Sequence, residues 1–67
     1  MKTELLENIH ESLVNGQRKQ MVRQIDDYGL YDFFDDYAGY LYDLYSITSA
    51  YDYLRDAASS YHRITNR

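Results

Sequence analysis

Apolar residues recur along the chain at intervals of three, four and seven, a spacing that is typical of α-helices. A first helix is predicted over residues 3–14, with Thr3 as its N-cap. Asn15 and Gly16 end it, because glycine readily adopts the left-handed backbone conformation found at helix C-termini. The face of this helix that is predicted to point inward carries Leu5, Leu6, Ile9 and Leu13.

Three further helices follow from the same periodicity. They are predicted over residues 17–28, 30–45 and 50–64, with Gly29 stopping the second and a break at residues 46–49 before the last. Ser49 and Asp52 have the spacing of a capping box at that break. The predicted inward side chains of these helices are Met21, Val22, Ile25, Tyr28, Leu30, Phe33, Phe34, Tyr37, Leu41, Leu44, Ala50, Leu54, Ala57, Ala58, Tyr61 and Ile64. The fold class is therefore all-α, a compact bundle of four short helices in a single helical domain over residues 1–67.

Length and composition restrict the kinds of function that the chain can have. A domain of 67 residues buries only about 60% of its unfolded surface, which leaves little room for an enclosed active site. The chain has no cysteine, so thiolate chemistry and disulfides are excluded. It also lacks a membrane-spanning apolar run and the apolar core of a signal peptide. We expect a soluble protein of the cytoplasm with no membrane partner.

Charge is distributed very unevenly along the chain. Residues 24–54 contain seven aspartates, eight of the nine tyrosines and no lysine or arginine, whereas both flanking segments are slightly basic. The formal net charge of −4 hides this asymmetry. Such a field repels nucleic acid and anionic membranes, and it attracts basic proteins, including those that normally hold DNA or RNA.

The third predicted helix places its aspartates on one outward face, which we call the acidic face. Asp32 and Asp36 are like charges one turn apart, and both aspartate and a mid-helix glycine such as Gly39 are poor helix formers. A solvated, merely solubilising face is the simple alternative, but tyrosines flank the aspartates, and tyrosine is enriched at protein interfaces. The predicted partner-binding residues are Asp26, Asp27, Tyr31, Asp32, Asp35, Asp36, Tyr40, Tyr42 and Asp43.

The spacing of these carboxylates suggests what the acidic face imitates. Asp32, Asp36 and Asp43 are separated along a helix axis by about 6 Å and then about 10 Å, intervals comparable to those between phosphates in a DNA-binding groove. In size and in the composition of residues 26–52, the chain resembles the small acidic proteins of phages and plasmids that disarm host defence. These include anti-CRISPR and anti-restriction proteins of the DNA-mimic type. The resemblance implies action in the host cell cytoplasm.

A secondary basic patch is predicted on the second helix at Lys19 and Arg23, whereas Arg18 falls near the apolar face and is expected to pair with an aspartate. This helix follows a glycine turn, so a small DNA-binding regulator is one alternative. A homodimer is another, because the basic helix of one copy complements the acidic helix of a second copy.

No catalytic residues, metal ligands or cofactors are predicted. Paired aspartates on a convex helix have no pocket in which to act, and His10 and His62 are isolated residues expected at the surface or at helix ends. The preferred interpretation is a non-enzymatic protein inhibitor that binds the basic surface of a nucleic-acid-binding complex. The main alternative is a helical adaptor or regulator that contacts other proteins through its tyrosine-rich surface.

Overall fold

The part of the chain that the structure describes folds into four helices. The computed structural model describes residues 2–65, apart from the side chains of residues 47–50. The described residues form no strand, which confirms the predicted all-α bundle of four helices, and none of these helices is long and apolar enough to cross a membrane. The helices are α1 (Lys2–Val14), α2 (Arg18–Tyr28), α3 (Leu30–Leu44) and α4 (Ile47–Thr65).

The two predicted glycine stops are confirmed. Gly16 has φ +74°, and the amides of Gly16 and Gln17 donate to the carbonyls of Leu13 and Ser12, the double hydrogen bond of a Schellman motif. Gly29 has φ +104°, and its amide donates to Ile25 while its carbonyl accepts from Phe33. A side chain is disfavoured at this φ, so one glycine both ends α2 and begins α3.

Helix starts are less well predicted than helix stops. The break before α4 is shorter than the predicted residues 46–49, since the helix already begins at Ile47. Ser46, directly before it, has φ +106°. Ser49 therefore lies inside α4 rather than at its N-cap, and the predicted capping box with Asp52 is wrong. Thr3 likewise lies inside α1, which begins at Lys2.

The core draws on all four helices, with α2 in contact with each of the other three. Most residues predicted to point inward are buried or half-buried, as the helical periodicity requires. Ala57 is fully buried on α4, whereas Ala50 lies outside the described side chains. The buried hydrophobic residues are Leu6, Ile9, Met21, Val22, Ile25, Phe33, Tyr37, Leu41 and Ala57.

Three predicted core residues are exposed instead. Leu5 and Leu44 are 51% and 53% exposed, and Ala58 is exposed beside the buried Ala57. Each lines a surface cavity between two helices, so the apolar face of its helix is wider than the neighbouring helix covers. Helical periodicity identifies the inward side of a helix but does not show where the neighbouring helix leaves a gap.

His10 lies in the core, so its predicted surface position is wrong. It is 7% exposed and is surrounded by tyrosines of α3, of α4 and of the turn between them. Its ring centroid lies 5.0 to 6.0 Å from the ring centroids of Tyr37, Tyr40, Tyr45 and Tyr53. The aromatic cluster thus supplies polar hydroxyl partners to a polar ring inside a small bundle.

Candidate protein interface

The helix α3 carries most of the predicted interface on one continuous element. Because α3 runs unbroken over Leu30–Leu44, residues four and seven apart lie above one another on its surface. Asp32, Gly39 and Asp43 follow one line along the helix, and Tyr31, Asp35 and Tyr42 follow the adjacent line. These two lines form the outer part of the acidic face.

The outer part of the acidic face is open to solvent. Tyr31 is 83% exposed and Tyr42 is 60% exposed, with Asp32, Asp35 and Asp43 exposed between and beside them. Among the side chains that the structure describes, these three carboxylates have no ion-pair or hydrogen-bond partner. Their negative charge is therefore not compensated within the described part of the chain.

Asp36 already has partners within the described chain, unlike Asp32, Asp35 and Asp43. Its carboxylate accepts a 2.6 Å hydrogen bond from the Tyr28 hydroxyl and lies 3.5 Å from the Lys2 ammonium. The hydrogen bond from Tyr28, assisted by the Lys2 charge, lowers the pKa of Asp36. Burial and the same hydrogen bond raise the pKa of Tyr28 to about 12. Asp36 therefore already connects α3 to α2 and to the start of α1, and it is less available to a partner.

Tyr40 lies on the inner side of α3 rather than at the rim of an open surface. Its ring is half-buried and stacks on Tyr37, with ring centroids 6.1 Å apart at 14°. Burial, and then the charges of Glu7 and Glu11, raise the pKa of Tyr40. These two glutamates bring negative charge from α1 to the side of α3 that carries Tyr40, a contribution that the sequence does not show because they belong to a different helix.

The two predicted partner-binding residues of α2, Asp26 and Asp27, lie in different surroundings. Asp26 accepts a 2.7 Å hydrogen bond from the Tyr61 hydroxyl, which connects α2 to α4 and raises the pKa of Tyr61. Asp27 lines a cavity of about 140 Å³ between α1 and α2, next to Leu5 and Ile9. Both carboxylates are exposed, but neither continues the line of α3 carboxylates without interruption.

A groove between α1 and α3 overlaps the acidic face at Asp36, Gly39 and Asp43. We call it the Gly39 groove; its volume is about 510 Å³. A Cβ atom at Gly39 would meet nothing within 4 Å, so no neighbour within the described chain requires the glycine. Glycine in a helix interior costs about 1 kcal/mol relative to alanine, and the fold gains no close contact in return. The groove is lined by Lys2, Thr3, Leu6, Asp36, Gly39, Tyr40, Asp43 and Leu44.

The three basic residues of α2 are all exposed, but only Arg18 has a described hydrogen bond to another helix. Arg18 donates a hydrogen bond to the buried Ser60 hydroxyl of α4, so the predicted pairing with an aspartate is wrong. Lys19 and Arg23 are exposed and form no ion pair with a described side chain. They remain the predicted secondary basic patch.

A metal site would need several ligating side chains close together. Within the described residues, no group of three or more histidine, cysteine, aspartate or glutamate side chains is arranged to hold a metal ion. The buried His10 instead has both ring nitrogens 2.8 Å from tyrosine hydroxyls, those of Tyr37 and Tyr45. Its polar atoms are therefore occupied by the fold.

Comparison with protein-family models, with curated proteins and with solved structures finds no match to this chain.

Proposed function

We propose that this chain is a non-enzymatic protein inhibitor of a host nucleic-acid-dependent defence complex, of the anti-CRISPR or anti-restriction type, acting in the host cytoplasm. Its acidic face binds the basic surface that the complex normally uses to hold DNA or RNA. The observation that carries the proposal is the set of three exposed carboxylates without a partner among the described side chains, Asp32, Asp35 and Asp43. Partner lysines and arginines would supply the missing countercharge.

The exposed tyrosines add contact area to this electrostatic attraction. Tyr31 and Tyr42 lie about 16 Å apart along the axis of α3, at a rise of 1.5 Å per residue, with Asp35 between them on the same line. Tyrosine and arginine are both enriched among the residues that dominate binding energy at interfaces. A basic surface rich in arginine is therefore suited to both the carboxylates and the aromatic rings of the acidic face.

Two matched variants test this proposal. Asp32→Asn combined with Asp35→Asn removes two of the three exposed carboxylates of the acidic face, and Asp52→Asn combined with Asp56→Asn removes the same charge from exposed positions on α4. Each tagged protein is incubated at low salt with nuclease-treated bacterial lysate, and captured proteins are eluted with a salt gradient. Circular dichroism establishes that both variants retain the helical fold.

The expected result is capture of a nucleic-acid-binding complex by the wild type and the α4 variant but not by the acidic-face variant. Moderate salt should release the complex, because exposed charge pairs are strongly screened. Added wild-type protein should also prevent the purified complex from shifting its nucleic acid in a gel.

Other outcomes would assign a different function. Capture that resists salt and survives the loss of the Asp32 and Asp35 charges would favour the adaptor, whose contacts are made mainly by tyrosine. A gel shift of DNA by the protein alone, lost on replacing Lys19 and Arg23, would favour the DNA-binding regulator. Either result would contradict the proposed inhibitor.

A further inference from the structure

The Gly39 groove is lined by a glycine that the described fold does not itself require. Gly39 is exposed in the middle of α3, and a methyl group there would project into open space. The fold therefore tolerates alanine at this position, yet the helix carries glycine. Close approach of a second backbone or side chain to a helix is one of the established uses of glycine.

The chemistry of the groove indicates what would occupy it. Leu6, Leu44 and the ring of Tyr40 provide apolar surface, and Asp43 provides a carboxylate with no described partner. The Lys2 charge is already paired with Asp36, so the lining keeps one net negative charge, that of Asp43. Such a lining suits a cation that carries a long aliphatic stem.

We propose that the Gly39 groove receives an arginine side chain of the basic partner, an inference that rests on the proposed function. The aliphatic stem lies across Gly39 against Leu6 and Leu44, and the guanidinium bonds to the Asp43 carboxylate. Arginine fits better than lysine because its planar group forms two parallel hydrogen bonds to a carboxylate and stacks on an aromatic ring such as that of Tyr40.

Titration with short capped peptides tests the inference without a known partner. Three peptides that differ only at a central arginine, lysine or citrulline are added to ¹⁵N-labelled protein, and the amide of Tyr40 is followed by NMR. Citrulline has the shape of arginine but no charge. We expect saturable shifts with arginine, weaker ones with lysine and none with citrulline, while the amide of Gly16, at the turn after α1, stays unchanged.

Two variants connect the shifts to the groove. Gly39→Ala should weaken arginine-peptide binding about fivefold or more, the lower bound expected when an added methyl overpacks a fitted contact. It should also raise Tm by roughly 4 to 8 °C, because alanine is the better helix former. Asp43→Asn should weaken binding to a similar degree. Asn8→Ala, an exposed substitution on α1 that also favours helix, serves as the control that stabilises without weakening binding.

Several results would overturn this inference. They are equal shifts with arginine and citrulline, undiminished binding by Gly39→Ala, and Tyr40 shifts that depend on protein concentration alone, which would assign the groove to a second copy.

Failure of the groove inference can be distinguished from failure of the proposed function. If Asp32→Asn with Asp35→Asn abolishes capture while Gly39→Ala leaves peptide binding intact, the inhibitor proposal stands and the groove inference fails. The opposite pattern would overturn the inhibitor proposal and leave the groove as an arginine site.

Discussion

His10 and Tyr37 form a buried hydrogen bond between α1 and α3, with 2.8 Å between the Nδ1 atom and the tyrosine hydroxyl. The Nε2 atom lies at the same distance from the hydroxyl of Tyr45, just beyond the end of α3. A neutral imidazole suits this position, because one ring nitrogen donates while the other accepts. The His10 ring thus joins two helices inside the core, and each of its two nitrogens has a hydrogen-bond partner.

The first prediction concerns the acid side of the stability profile. Burial lowers the pKa of His10 despite the opposing charge of Glu11. Between the folded and unfolded pKa values the unfolded chain binds more protons, so this contribution to stability is present above about pH 6.5 and falls as the pH drops below it. His10→Gln should weaken the dependence of the unfolding free energy on pH in this range, measured by urea denaturation. Asn8→Gln, a control at an exposed position of α1 that carries no ionisable group, should leave it intact; equal behaviour of the two variants would contradict the prediction.

The second prediction concerns the alkaline side. The pKa of Tyr28 is raised to about 12 by burial and by its hydrogen bond to Asp36. The unfolded tyrosine loses its proton near pH 10, so stability should decline as the pH rises from about 10 toward the folded-state pKa. Urea denaturation at about pH 8 and about pH 11 should therefore show a smaller loss of stability for Tyr28→Phe than for the wild type. Tyr31→Phe, which removes a hydroxyl at the exposed start of α3, should change the unfolding free energy at about pH 8 by no more than about 0.5 kcal/mol. A loss in Tyr28→Phe equal to that in the wild type would refute the assignment.

The third prediction separates two neighbouring basic residues of α2. Arg18 donates to the Ser60 hydroxyl, which is 1% exposed, whereas Lys19 has no described ion pair. Arg18→Ala should reduce the unfolding free energy by about 1 kcal/mol or more, because a buried hydroxyl loses its partner. Lys19→Ala removes the same charge and should change stability by no more than about 0.5 kcal/mol. Chemical denaturation measures both; an equal effect of the two substitutions would show that charge rather than the hydrogen bond matters.

The fourth prediction uses two adjacent alanines of α4. Ala57 is fully buried against the core, and Ala58 is exposed beside Phe34 in a surface cavity. Ala57→Leu should therefore destabilise the fold by about 1–3 kcal/mol through overpacking. Ala58→Leu adds the same atoms in open space and should be tolerated within about 0.5 kcal/mol. Thermal unfolding of the two variants compares them directly, and similar Tm values would mean that α4 packs in a different rotation.

The sequence by itself determined the helices, the glycine stops and the outward direction of most of the acidic face. These features follow from local physics: the 3.6-residue period of apolar positions and the backbone freedom of Gly16 and Gly29. The exposure of Tyr31 and Asp35 also follows, because both lie opposite the apolar side of one helix.

Only the tertiary structure decided which side chains are exposed to solvent and which form contacts with another helix. The partners of His10 are 27 and 35 residues away, and the hydrogen bond from Tyr28 to Asp36 depends on how α2 and α3 pack. The exposure of Leu44 depends on the gap between α1 and α3. Helical periodicity fixes a direction around one helix axis, but it carries no information on the distance or rotation of the neighbouring helix, and those two quantities determine each of these contacts.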